Sequence, residues 1–190
     1  IPEIAPLARR IWREHYPGII GADQIDYMLR GRYDAADLSP YLDAPDRWFD
    51  VLRQDGAACG FLRCKAVAAA GSLKIEELYV AAELRGRGFG QQLLRQAEMR
   101  ARAAGCAQLM LYVNKRNELA IRAYQRFGFA ISNSLVIDIG AGYVMDDYLM
   151  TMALPRPQAR ERTLFFIGVT TGKSSIMQVF PAWSQALGLN

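Results

Sequence analysis

The sequence predicts an α/β protein built on a mixed sheet flanked by helices. Three observations carry that expectation: two amphipathic patterns at the front, consecutive strands from Trp48 onward, and then a strand, helix, strand, helix alternation ahead of two closing strands. Strands joined by tight turns pair antiparallel, whereas strands joined through a helix pair parallel, so one sheet must contain both kinds.

The elements follow in order. Ile4, Leu7, Ala8 and Ile11 recur at helical spacing with Arg9, Arg10 and Arg13 between them, and Pro17 and Gly18 stop that helix. A second helix is expected with Asp23 as N-cap, Ile25, Met28 and Leu29 as its apolar stripe, and Gly31 at its close. Residues 32–46 are polar and carry Pro40 and Pro45, which predicts an irregular connection. Trp48 to Leu52 and Ala57 to Val67 flank Asp55-Gly56 and read as a hairpin. Leu73 to Val80 forms the next strand. Leu93, Leu94, Ala97, Ala101 and Ala104 give the following helix its apolar face, and Gly105 ends it. Gln108 to Val113 reads as a buried strand, and Asn117 caps a helix with Ala120, Ile121, Tyr124 and Phe127 inward and Gly128 at its end. Phe129 to Ile139 and Tyr143 to Leu154 close the sheet through Gly140-Ala141-Gly142, which supplies a tight turn.

Composition narrows the classes. The chain has 190 residues, 52% hydrophobic and 22% charged, in the range of a globular domain. It contains no run near the roughly 18 apolar residues of a membrane span. Cys59, Cys64 and Cys106 form no Cys-x-x-Cys and have one histidine, His15, beside them, so neither a metal centre nor a disulfide framework is expected; buried thiols in a reducing, cytoplasmic setting fit better. The formal charge of +4 is unevenly spread. Residues 83–126 carry nine bases and three acids, while residues 1–50 carry six bases and nine acids. An acidic front and a basic middle imply two partners of opposite charge. The basic segment lacks interleaved aromatic platforms or a base-reading element, so no nucleic-acid partner is expected.

The chemistry concentrates at Arg85-Gly86-Arg87-Gly88-Phe89-Gly90-Gln91, where a strand runs through a glycine-rich turn into a helix. The first N–H groups of that helix have no partner inside it and point at whatever lies over its N-terminus. Glycines let an anion reach the backbone, and two arginines add charge, so a pyrophosphate suits the turn. The glycines lack the order of a dinucleotide-binding G-x-G-x-x-G, and no Gly-Lys-Ser/Thr follows as a Walker loop requires.

This turn resembles the Arg/Gln-x-x-Gly-x-Gly/Ala signature of the GCN5-related N-acetyltransferases, the GNAT superfamily. A second block, Asn114 to Phe129, is similar to that family's Asn-x-x-Ala-x-x-x-Tyr-x-x-x-Gly-Phe segment. The resemblance covers about residues 1–154 and implies a GNAT fold in which acetyl-CoA lies between parallel strands ending near Val80 and Val113. By resemblance, Leu78, Tyr79 and Val80 hold the pantetheine arm and polarise the thioester through backbone groups, while Arg85 to Gln91 hold the pyrophosphate. Tyr124 matches the tyrosine that protonates the departing thiolate, and Asn117 the residue that meets the cofactor arm. The general base stays open between Glu77, which is favoured, Glu76, which alternation puts on the opposite face, and an ordered water. Glu14, Tyr16 and Ile19 in the front helices, and Asp146 with Asp147 beside it in the closing strand, are the candidate acceptor contacts.

The implied activity is transfer of acetyl from acetyl-CoA to a small primary amine by direct attack, without a metal. A non-catalytic acetyl-CoA-binding module attached to another enzyme is the alternative. A homodimer is compatible with either. Residues 155–190 read as a linker and extension. Residues 164–190, through Phe166-Ile167-Gly168-Val169, Ser174-Ser175-Ile176-Met177 and Phe180-Pro181, weakly resemble the opening strand and serine loop of shikimate-dehydrogenase-like proteins, the beginning of a second domain.

Overall fold

The computed structural model describes residues 3–155, and Ile1–Leu154 form one compact unit. The expectations for the tail beyond Pro155, including the dehydrogenase-like resemblance, lie outside the described residues. Helices α1 (Ile4–His15), α2 (Ala22–Leu29), α3 (Ala35–Leu38) and α4 (Pro40–Asp43) precede strands β1 (Arg47–Gln54), β2 (Ala57–Val67) and β3 (Ser72–Val80). Then follow α5 (Phe89–Ala103), β4 (Gln108–Asn114), α6 (Glu118–Phe127), β5 (Ala130–Gly140) and β6 (Tyr143–Ala153). The six strands form one sheet in the order β1-β2-β3-β4-β6-β5. Pairing is parallel between β3 and β4 and antiparallel at every other junction, as helix-linked and turn-linked strands require.

Burial of both sheet faces explains why helices lie on each side. Phe61 and Leu62 are neighbours on β2 and both fully buried, yet they belong to different cores because successive side chains point to opposite faces. Phe61 joins Ile4, Leu7, Ala8 and Ile11 of α1 and Ile25 and Leu29 of α2. Leu62 joins Leu93, Leu94, Ala97 and Ala101 of α5 with Leu73, Leu109 and Met150 of the sheet. The hairpin turn at Asp55 (φ 51°) and Gly56 (φ 83°) has the paired positive φ values that match strand twist. Cys59 and Cys64 are buried free thiols, and Cys106 is free and partly buried.

Two local expectations change. The second helix takes Gly21 as N-cap, with Asp23 in its first turn, and it ends at Leu29 before Gly31. Residues 32–46 are not irregular: they contain the single turns α3 and α4. Asp34 caps α3 by accepting the Asp37 N–H at 2.9 Å, and Pro40 opens α4, where its missing N–H costs nothing. Leu38 and Tyr41 are buried at those turns, so the segment is anchored under the site.

Candidate active site

The parallel ladder sets the site. It pairs Ser72 with Gln108 through Ile75 with Leu111, and then stops. Beyond it, among the described strands, β3 runs on to Val80 paired with β2 alone, and β4 runs on to Asn114 paired with β6 alone. Two backbone edges therefore face each other unpaired across a wedge, offering donors and acceptors to a guest. A cavity of about 930 Å³ occupies it, lined by Leu78, Tyr79, Val80, Val113, Asn114 and Tyr124 among others.

At one end of the wedge stands the glycine turn. Gly86 (φ 77°) and Gly88 (φ 86°) adopt left-handed backbone, and a Cβ on Gly86, Gly88 or Gly90 would meet nothing within 4 Å. The first amides of α5 open over this cradle. Arg85 is tied to it by donating from Nε to the Val80 carbonyl at 3.3 Å. Gln91 also lines the cavity, whereas Arg87 is exposed and neither it nor Phe89 reaches the lining.

A charged floor lies at the other end. Glu77 is 5% exposed; its Oε1 accepts from Arg32 at 2.7 Å, and its Oε2 lies 3.5 Å from Arg63 without a hydrogen bond. Arg63 also grips Asp37 through both terminal nitrogens, at 2.8 and 3.2 Å, and stacks 4.3 Å over the Tyr41 ring. Burial raises the Glu77 carboxyl, with Arg63 and Arg32 pulling the other way. Glu76 binds Tyr41, Lys65 and, at 3.9 Å, Lys74. The expectation that Glu76 and Glu77 face opposite sides is corrected here: both line the cavity. Register explains it. Arg63 pairs with Glu77 and the next residue, Cys64, pairs with Ile75, leaving Glu76 as an extra residue in a bulge that resets the alternation.

Tyrosines roof the wedge. The Tyr16 and Tyr79 hydroxyls are 3.0 Å apart, and both phenols are raised, first by burial. Burial likewise raises Tyr124, with Tyr16 adding to it, so its hydroxyl keeps its proton at neutral pH. Asn117 is 7% exposed and accepts the Ala120 N–H at 3.3 Å as the cap of α6, yet it also lines the cavity. His15, from the end of α1, lines it too; burial and then Arg85 push its imidazole down, so it is neutral at physiological pH.

Residues 6–129 match the Acetyltransferase (GNAT) family. The chain belongs to that family. Among its relatives, the streptothricin acetyltransferase of Streptomyces lavendulae is 39% identical over 100 residues, 53% of this chain, and the match spans only 53% of that protein's own length. The spermidine N(1)-acetyltransferase of Thermoplasma acidophilum is 25% identical over 144 residues, covering 74% of this chain and 86% of that protein. In structure, the PaiA N-acetyltransferase of Thermoplasma acidophilum, solved with coenzyme A, superposes with a TM-score of 0.68 over 80% of this chain and 92% of that chain, at 23% identity.

Acetyl-CoA is the co-substrate of GNAT enzymes, and the residues here fit it: an open glycine cradle with positive φ, helix amides above it, and an arginine beside it. Among the described residues no cluster of His, Cys, Asp and Glu could hold a metal ion, and no helix is long and apolar enough to cross a membrane.

The candidate acceptor contacts are not all placed at the cavity. Tyr16 lines the GNAT cavity, but Glu14 is exposed, and neither it nor Ile19 is in the lining. Asp146 is exposed and paired with Lys115, while its neighbour Asp147 is 5% exposed and lines the cavity. Adjacent strand residues face opposite ways, and only the register with Asn114 decides which faces in. Arg32, Arg63, Asp37 and Tyr41 were missed. Nothing local marks them, although an arginine in the middle of a core strand, as Arg63 is, signals a buried partner.

Proposed function

We propose that this chain is an acetyl-CoA-dependent N-acetyltransferase that acetylates a small cationic primary amine by direct attack. The observation that carries the proposal is the wedge between β3 and β4, with an anion cradle at one end and buried carboxylates and phenols at the other. Acetyl-CoA supplies an activated acyl thioester. The free edge of Leu78 to Val80 would offer main-chain groups along the pantetheine arm and to the developing oxyanion. Glu77 would take a proton from the incoming ammonium, either directly or through water, since its Oε2 carries no hydrogen bond and burial raises its proton affinity. The neutral amine then forms the new C–N bond as the C–S bond breaks; Tyr124, whose phenol stays protonated, would give its proton to the departing thiolate and regain one from the second proton that the acylated nitrogen sheds. Relatives named for streptothricin and spermidine, both cationic amines, support the acceptor class.

A thiol-release assay over an amine panel, with product mass detection, tests this reading. Tyr124→Phe should lower kcat by about 10²- to 10⁴-fold, the usual contribution of acid–base catalysis, with little change in acetyl-CoA affinity. Unchanged turnover refutes the acid role. Binding of acetyl-CoA with no thiol release from any amine identifies the chain instead as a non-catalytic binding module.

A further inference from the structure

The four acidic residues that line the cavity are not equivalent. Asp37 is held by Arg63, Glu76 by Lys65 and Tyr41, and Glu77 by Arg32 and Arg63. Asp147 has no ion pair among the described residues, and its Oδ1 has no hydrogen-bond partner although the residue is 95% buried. Lys115, whose charge does act on it, is engaged by Asp146 and lies 5.6 Å from the Tyr148 ring centroid. A buried carboxylate left without a cation is costly to keep unless a ligand supplies one.

Resting on the acetyltransferase reading, we propose that Asp147 determines acceptor specificity by binding a second cationic nitrogen, so that the acceptor is a diamine or a longer polyamine. The topology separates the two functions. Glu77 stands on β3 and Asp147 on β6, with β4 between them, so their backbones are at least about 9–10 Å apart, and both carboxyls act on the Tyr16 phenol between α1 and the sheet. An acceptor with one ammonium at Asp147 places its other nitrogen toward Glu77 and the unpaired edge of β3. Glu77 is already compensated by two guanidiniums and is poorly suited to hold a permanent cation, which leaves it free to exchange a proton.

The test uses the full chain with putrescine, cadaverine and spermidine against butylamine and pentylamine, measuring thiol release and acetyl-CoA binding by calorimetry. The wild type should show a KM about tenfold or more lower for diamines than for monoamines of the same length, the worth of one charge-assisted bond. Asp147→Asn should abolish that preference by raising KM for the diamines at least about tenfold more than for the monoamines, with acetyl-CoA affinity near wild type, and Asp147→Glu should restore part of it. Diamine preference that persists in Asp147→Asn, or monoamines used as well as diamines by the wild type, overturns the proposal. Acetyl-CoA binding without turnover of any amine would instead overturn the acetyltransferase reading beneath it.

Discussion

Asp147→Asn should make the free protein more stable, and the gain should depend on pH in a defined direction. Burial first, and then Asp146, raise the Asp147 carboxyl from 3.8 to about 6, while Lys115 opposes them. At 1.36 kcal/mol for each pH unit, that corresponds to about 3 kcal/mol of penalty on the ionised form. The folded carboxyl binds its proton more tightly than the unfolded one, so its favourable contribution is fully present below pH 3.8 and is lost as pH rises to about 6. Asparagine never ionises. Its advantage should be small near pH 4, grow through pH 5, and level off above pH 7 at about 1–3 kcal/mol, with the lower end allowing for an amide that remains buried and poorly bonded. Urea unfolding at pH 5 and pH 8 measures it, and each kcal/mol also corresponds to about 2–4 °C in Tm for a domain of this size. Equal stability of the two proteins at pH 8, or a larger advantage at pH 5 than at pH 8, would refute the reasoning. A stability gain combined with lost diamine preference is the pattern of a residue kept for function.

Other perturbations probe the scaffold. Gly60→Ala would bring a Cβ within 2.6 Å of the Tyr79 carbonyl and 3.3 Å of Leu52, overpacking the β2–β3 junction beside the wedge. A loss of about 1–3 kcal/mol is expected in urea unfolding, and an unchanged midpoint would show that the strands yield freely. Arg63→Met strips Glu77 and Asp37 of a shared buried partner and should cost about 3–5 kcal/mol, a large share of a domain's stability; a change under 1 kcal/mol contradicts the network. Arg85→Gln should weaken CoA binding several-fold at low salt and less at high salt, and Arg87→Gln clearly less, because only Arg85 lines the cavity. Equal losses at the two positions would contradict that difference.

The candidate co-substrate cradle was largely legible in the sequence. Gly86, Gly88 and Gly90 encode a local backbone conformation, and Asn117 encodes a cap three residues from its target, so short-range chemistry alone points to them. The acceptor side was not. Whether Glu76 faces the cavity depends on a bulge against β2, and whether Asp146 or Asp147 does depends on the pairing of β6 with β4, a choice that one residue of slip reverses. Arg32 and Glu77 lie 45 residues apart, and Arg63 and Asp37 26 apart, so their pairing exists only once the sheet and the short turns α3 and α4 are assembled.

By itself the sequence determined the mixed α/β class, the order of the elements apart from the short helices α3 and α4, the glycine turn ahead of α5 and the tyrosine on the inner face of α6. Those features rest on periodicity and turn chemistry, which act over a few residues. Tertiary structure alone decided where the β3–β4 ladder stops, which carboxylates enter the wedge, and which of them has no ion pair among the described residues. Strand register and long-range ion pairing carry that information, because the same side chain is solvated or buried according to which strand lies beside it.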